Sequence, residues 1–137
     1  MILLDTSILS LAFRRRKEAN PAPPPVRQLR QLIEGRSPVA IPGIVLQEIL
    51  SGLRHDGMVA GLRSALAGFP VVLANEADHR SGAQIQQSCV KAGVAAGTVD
   101  CLIAGMSVNR DAFLFSLDQD FRRLPAACGL KLVPPLH

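Results

Sequence analysis

Met1-Ile-Leu-Leu-Asp5-Thr-Ser-Ile-Leu9 is the stretch on which the fold turns. Its apolar run stops at a carboxylate, the pattern of a buried strand that delivers a polar side chain to its carboxyl end. Thr6 or Ser7 can cap the helix that follows, which runs through Leu9, Leu11 and Phe13 into Arg14, Arg15, Arg16 and Lys17. The same unit then recurs along the chain. Residues 20–25 are rich in Pro and Ala and read as an exposed connector. Val26, Leu29, Leu32 and Ile33 mark one face of a second helix that stops at Gly35. A short strand between Pro38 and Pro42 leads into a helix through Ile44, Val45, Glu48, Ile49 and Leu53, ending near Gly57. Further helices are expected over 58–66, over 76–92 and from a Thr98 cap through Met106, and further strands over 71–74, 112–116 and 130–133. Strands alternating with helices predict an α/β fold with a mainly parallel sheet and right-handed crossovers.

Composition agrees. A chain of 137 residues reads as one domain over 1–137 that can bury roughly two-thirds of its unfolded surface. Hydrophobic residues make up 48% of it with no Trp or Tyr, so the core is aliphatic, as suits a sheet covered on both faces. No run approaches the ~18 apolar residues of a membrane span, and the opening lacks the basic lead of a signal peptide. A cytoplasmic protein is expected. Cys89, Cys101 and Cys128 are widely spaced with no CxxC and read as free thiols.

Carboxylates are scarce, 11 against 15 basic residues, for a net charge of +4. Asp5 and Asp118 follow strands, at the end of the sheet where open α/β folds bind ligands. Asp100 falls in the first turn of its helix, where helix-dipole stabilisation alone is a sufficient bland account. Glu48 interrupts an apolar helical stretch, where the bland account is a polar stripe with Gln47 and Ser51. Together the four recur at the crevice end of successive units. Gathering carboxylates is costly unless a cation binds among them. Hard oxygen donors without a His or Cys motif select Mg²⁺ or Mn²⁺ over Zn²⁺. Such a site can activate water against a phosphodiester. The basic residues Arg14, Arg15, Arg16 and Lys17 are candidates for a phosphate-contacting rim, with a solvated helix face as the alternative.

Met1-Ile-Leu-Leu-Asp5-Thr-Ser, Gln47-Glu48-Ile-Leu-Ser-Gly52, Thr98-Val-Asp100-Cys-Leu-Ile-Ala104 and Ser116-Leu-Asp118-Gln-Asp120-Phe121 together resemble the PIN-domain family. Within it, the VapC-type toxins of bacterial toxin–antitoxin pairs are similar in size and layout. The resemblance spans essentially the whole chain. It implies a three-layer α/β/α sandwich with a central sheet of four to five strands, a metal-dependent ribonuclease, a homodimer, and a small antitoxin that blocks the site. Carried over by position, Asp5, Glu48, Asp100 and Asp118 become the metal-holding and catalytic residues, and Thr6 and Ser116 supporting hydroxyls. Asp120 either shares the fourth role or caps the turn before Phe121. Pro42 and Val45 depart from the small hydroxyl residues that the family often has there.

Two other readings compete. One is a PIN-like module that binds RNA or protein with weak or no catalysis. The other is a phosphoacceptor signalling domain, which also clusters acids at strand ends but needs a lysine that none of Lys17, Lys91 and Lys131 supplies in place. His55, His79 and His137 read as surface residues, and Asp56, Asp78, Asp111, Glu18, Glu34 and Glu76 as solvated.

Overall fold

The computed structural model describes residues 1–14, 21–52 and 56–135. Strands β1 (Ile2–Leu4), β2 (Val39–Pro42), β3 (Val71–Val72), β4 (Phe113–Phe115) and β5 (Lys131–Leu132) form one sheet in the order β3-β2-β1-β4-β5. Every neighbouring pair is parallel. The middle strand is β1, with Leu3 opposite Ala40 on one side and Leu114 on the other.

Helices α1 (Thr6–Arg14) and α2 (Pro24–Glu34) connect β1 to β2, and α3 (Gly43–Ser51) and α4 (Asp56–Leu66) connect β2 to β3. Helices α5 (Glu76–Ala92) and α6 (Thr98–Asn109) carry the chain back across the sheet to β4. The first two crossovers advance one way and the third returns. With right-handed crossovers, α1–α4 therefore cover one face and α5–α6 the other. This is the α/β/α sandwich. Leu3, Leu4, Ile8, Leu9, Ile41 and Leu114 are fully buried between the layers.

Several local boundaries differ from expectation for physical reasons. The helix expected to continue to Gly57 stops at Ser51, where Gly52 caps it. Residues 53–55 lie outside the described residues, and a separate helix begins at Asp56. Helix α2 starts inside the proline run, with Pro24 and Pro25 in the first turn where a missing N–H costs no bond. Thr98 is not a cap. It is the first helical residue of α6, behind an extended Gly97. Neither Thr6 nor Ser7 caps α1, because the Asp5 carbonyl accepts the first helical N–H, from Leu9.

Helices α5 and α6 run antiparallel at unusually close range. A Cβ added at Gly105 would lie 2.9 Å from the backbone nitrogen of Gly82, so glycine at this crossing permits the approach. Asp78, expected to be solvated, is fully buried. Its carboxylate receives both terminal nitrogens of Arg110 at 2.8 and 2.9 Å, Asn109 Nδ2 at 3.0 Å and the Asn75 backbone N–H at 2.9 Å. The fork and cap hold the Asp78 carboxyl down at about 2 against the cost of burial. Cys89 and Cys101 are buried free thiols and Cys128 is half-buried. Burial, then the neighbouring Cys89, pushes the Cys101 thiol up to about 11. Among the described residues no helix is long and apolar enough to cross a membrane.

Candidate metal centre

The chain turns back between β1 and β4, and a crevice forms beyond the carboxyl ends of strands at such a reversal. Asp5 leaves β1 there, and the segment after β4 leaves beside it, the Asp5 N–H donating to the Phe115 carbonyl at 3.0 Å. Asp5 is buried. Its Oδ2 accepts from Ser116 Oγ at 2.6 Å and from Ser7 Oγ at 2.9 Å. Ser7 Oγ in turn accepts the Leu117 N–H at 2.9 Å, and Ser116 Oγ accepts the Asp118 N–H at 3.0 Å. Two hydroxyls thus relay backbone N–H groups of the β4 exit onto one oxygen of Asp5. No side chain among the described residues donates to Oδ1, which leaves it available.

The other acids arrive from separate elements. Asp118 is the extended residue before a 3₁₀ helix, Gln119–Arg123, and its Oδ1 accepts the Asp120 N–H at 2.9 Å. Asp118, not Asp120, is therefore the cap. Asp120 instead joins a cluster in which carboxylate oxygens of Asp100, Asp118 and Asp120 lie within 4.8 Å of one another. Asp100 is half-buried in the first turn of α6. Glu48 projects from α3 and is exposed, with Thr6 Oγ1 donating to its Oε1 at 3.1 Å. Thr6 and Ser116, expected as supporting hydroxyls, each hold an expected acid.

Asp100 records the field of the whole group. Its carboxyl is pushed up to about 6, first by burial and then by the charges of Asp118, Asp5, Asp120 and Glu48, in that order. Every one of these causes penalises negative charge. Among the described residues the one basic side chain paired into the cluster is Arg123, at its exposed rim, 3.3 Å from Asp120. Hard carboxylate oxygens, with Asp5 buried, Asp100 half-buried and Arg123 only at the rim, fit a divalent metal ion.

The structure thus brings Asp100, Asp118 and Asp120 together and sets Asp5 and Glu48 within electrostatic reach. Sequence reasoning overlooked Ser7 as a partner of Asp5, although a hydroxyl two residues after the strand-end acid was its signal. Arg14 ends α1, while Arg15, Arg16 and Lys17 lie outside the described residues.

The chain resembles solved structures over nearly its full length. VapBC2 from Rickettsia felis, bound to a promoter DNA fragment, superposes with TM-score 0.78 at 21% identity, over 97% of this chain and 98% of that one. FitAcB from Neisseria gonorrhoeae gives 0.76 at 22%, over 98% of each. VapC20 of Mycobacterium tuberculosis, a sarcin-ricin-loop-cleaving toxin, gives 0.66 at 18%, over 98% of this chain and 100% of that one. At such identities the likeness is one of fold. The sequence itself goes further: the PIN domain model matches residues 2–127, and the chain belongs to the PIN domain family.

Proposed function

We propose that this protein is a Mg²⁺- or Mn²⁺-dependent endoribonuclease and the VapC-type toxin of a toxin–antitoxin pair, whose cutting of RNA stops translation and growth. The carrying observation is Asp100. Its half-buried carboxyl is raised to about 6 by burial and four surrounding acids, a cost that a bound cation reverses. Asp5, Asp100 and Asp118 hold the ion, with Glu48 and Asp120 completing the group. Bound there, a divalent ion supplies Lewis acidity towards a phosphodiester oxygen and the attacking water. Ser7 and Ser116 hold Asp5 by Oδ2, so that Oδ1 would be the oxygen left to bind an ion. Thr6 holds Glu48 by Oε1, which leaves Oε2 to orient the attacking water and accept its proton. Arg14, Arg15, Arg16 and Lys17 contact the RNA backbone.

The partners follow from the same reading. A cognate antitoxin is supported by neighbours solved as VapBC complexes. A homodimer is supported by the β3 edge of the sheet, unpaired among the described residues, where Val71 and the adjoining Leu73 stand exposed. The test is cleavage of RNA by the purified chain, freed of any antitoxin, with Mg²⁺, Mn²⁺ or chelator. Metal-dependent cutting that falls by about a thousandfold in Asp100→Asn is expected, beyond the ~10–100-fold loss typical of an outer partner. RNA bound equally by both proteins and cut by neither would make it a binding module instead.

A further inference from the structure

Apart from Ser116, the lining of the cavity beside the acids has no part in the mechanism above. It encloses about 90 Å³ between the first turn of α2 and the segment after β4, and Gln28, Ser116, Leu117, Gln119 and Arg122 help to line it. It adjoins the acid cluster directly. Ser116 lines it while donating to Asp5, and Gln119 is the residue between Asp118 and Asp120. Gln28 Nε2 donates to the Pro134 carbonyl at 2.8 Å, which fixes the amide and leaves Oε1 to accept. Gln119 and Arg122 form no side-chain hydrogen bond or ion pair among the described residues, whereas the adjacent Arg123 is engaged by Asp120.

Size and polarity narrow the occupant. The volume is far below the ~300–1,000 Å³ of a pocket for a drug-sized ligand, so it admits one ring-sized group. An arginine fork and two carboxamides over an apolar lining match the alternating donors and acceptors on a nucleobase edge. Unstacked bases of single-stranded RNA are read in this way. We propose that the cavity receives one base of the RNA next to the cut, with Gln119 and Arg122 reading its edge. The inference rests on the ribonuclease reading and adds to it the source of base preference.

The experiment measures kcat/KM on short single-stranded RNAs that differ by one base at each position flanking a single cut. Wild type, Gln119→Ala and Arg122→Ala are compared; both residues are exposed, so the substitutions leave the core intact. Wild type should discriminate at one flanking position by about tenfold or more. Each variant should lose most of that preference, the loss falling on KM more than on kcat. Unchanged preference in both variants, or none in wild type, overturns the base-reading role while the ribonuclease reading stands. Unchanged preference joined to weakened antitoxin binding overturns it too, in favour of a protein-docking cavity. If wild type cuts no RNA at all, both readings fall together.

Discussion

Asp78 and Asp100 occupy the same position on adjacent helices, the third residue of α5 and of α6. Each sits where a helix N-terminus favours negative charge. Their carboxyls nevertheless diverge, one held down at about 2 and the other pushed up to about 6. The difference is the company each keeps. Asp78 is met by the Arg110 fork, Asn109 and a capping box that the fold itself supplies. Asp100 carries the cost of burial first and then the charges of four more acids, with no such fork among the described residues to offset them. A carboxylate with a built-in cation serves the structure. A carboxylate among carboxylates is, in the proposed reading, completed by a cation from outside.

The comparison breaks most easily at Arg110. Arg110→Ala strands a buried charge and should destabilise the protein by about 3–5 kcal/mol, read as a drop in urea midpoint. An unchanged midpoint would mean that Asp78 is not held as described. Ser116→Ala acts on the other side of the contrast. It removes the 2.6 Å donor to Asp5 and should lower RNA cleavage by about 10–100-fold with little change in melting temperature. Stability lost in step with activity would place Ser116 with the structural acids.

The smallest effect is in pH, and its sign differs between the two sites. The folded-state value of Asp78 is depressed, so its contribution is present above the ordinary 3.8 and lost as pH falls towards about 2. The folded-state value of Asp100 is raised, so its contribution is present below 3.8 and lost as pH rises through about 6. In chelator, thermal melts of wild type and Asp100→Asn should therefore differ increasingly in the variant's favour between pH 4 and 7. A constant difference over that window would contradict the penalty on Asp100.

The sequence displayed one member of this comparison and hid the other. Asp5 and Asp118 were legible because strand ends are readable and the sheet's reversal gathers them. The bounds of α5 were legible too, since Asn75 and Gly93 are strong start and stop residues. Asp78 was not, although Asn75-x-x-Asp78 carries a capping-box signature. Its neutralising Arg110 comes 32 residues later, and nothing local announces that pairing. The hydroxyls misled in a related way. Thr6, Ser7 and Thr98 look like caps, but tertiary contacts recruit Thr6 to Glu48 and Ser7 to the Leu117 N–H, and extended Gly97 stands before Thr98. Asp120 was ambiguous because a short 3₁₀ helix decides which of two nearby acids caps it.

The central claim is that the acids around Asp100 are completed by a divalent ion while Asp78 needs none. Thermal melts with millimolar Mg²⁺ or Mn²⁺ against chelator test it most directly, on wild type, Asp100→Asn and Glu76→Gln, an exposed acid remote from the cluster. Wild type and Glu76→Gln should rise in melting temperature with metal, and Asp100→Asn should not. An equal rise in all three, or none in wild type, would contradict the account.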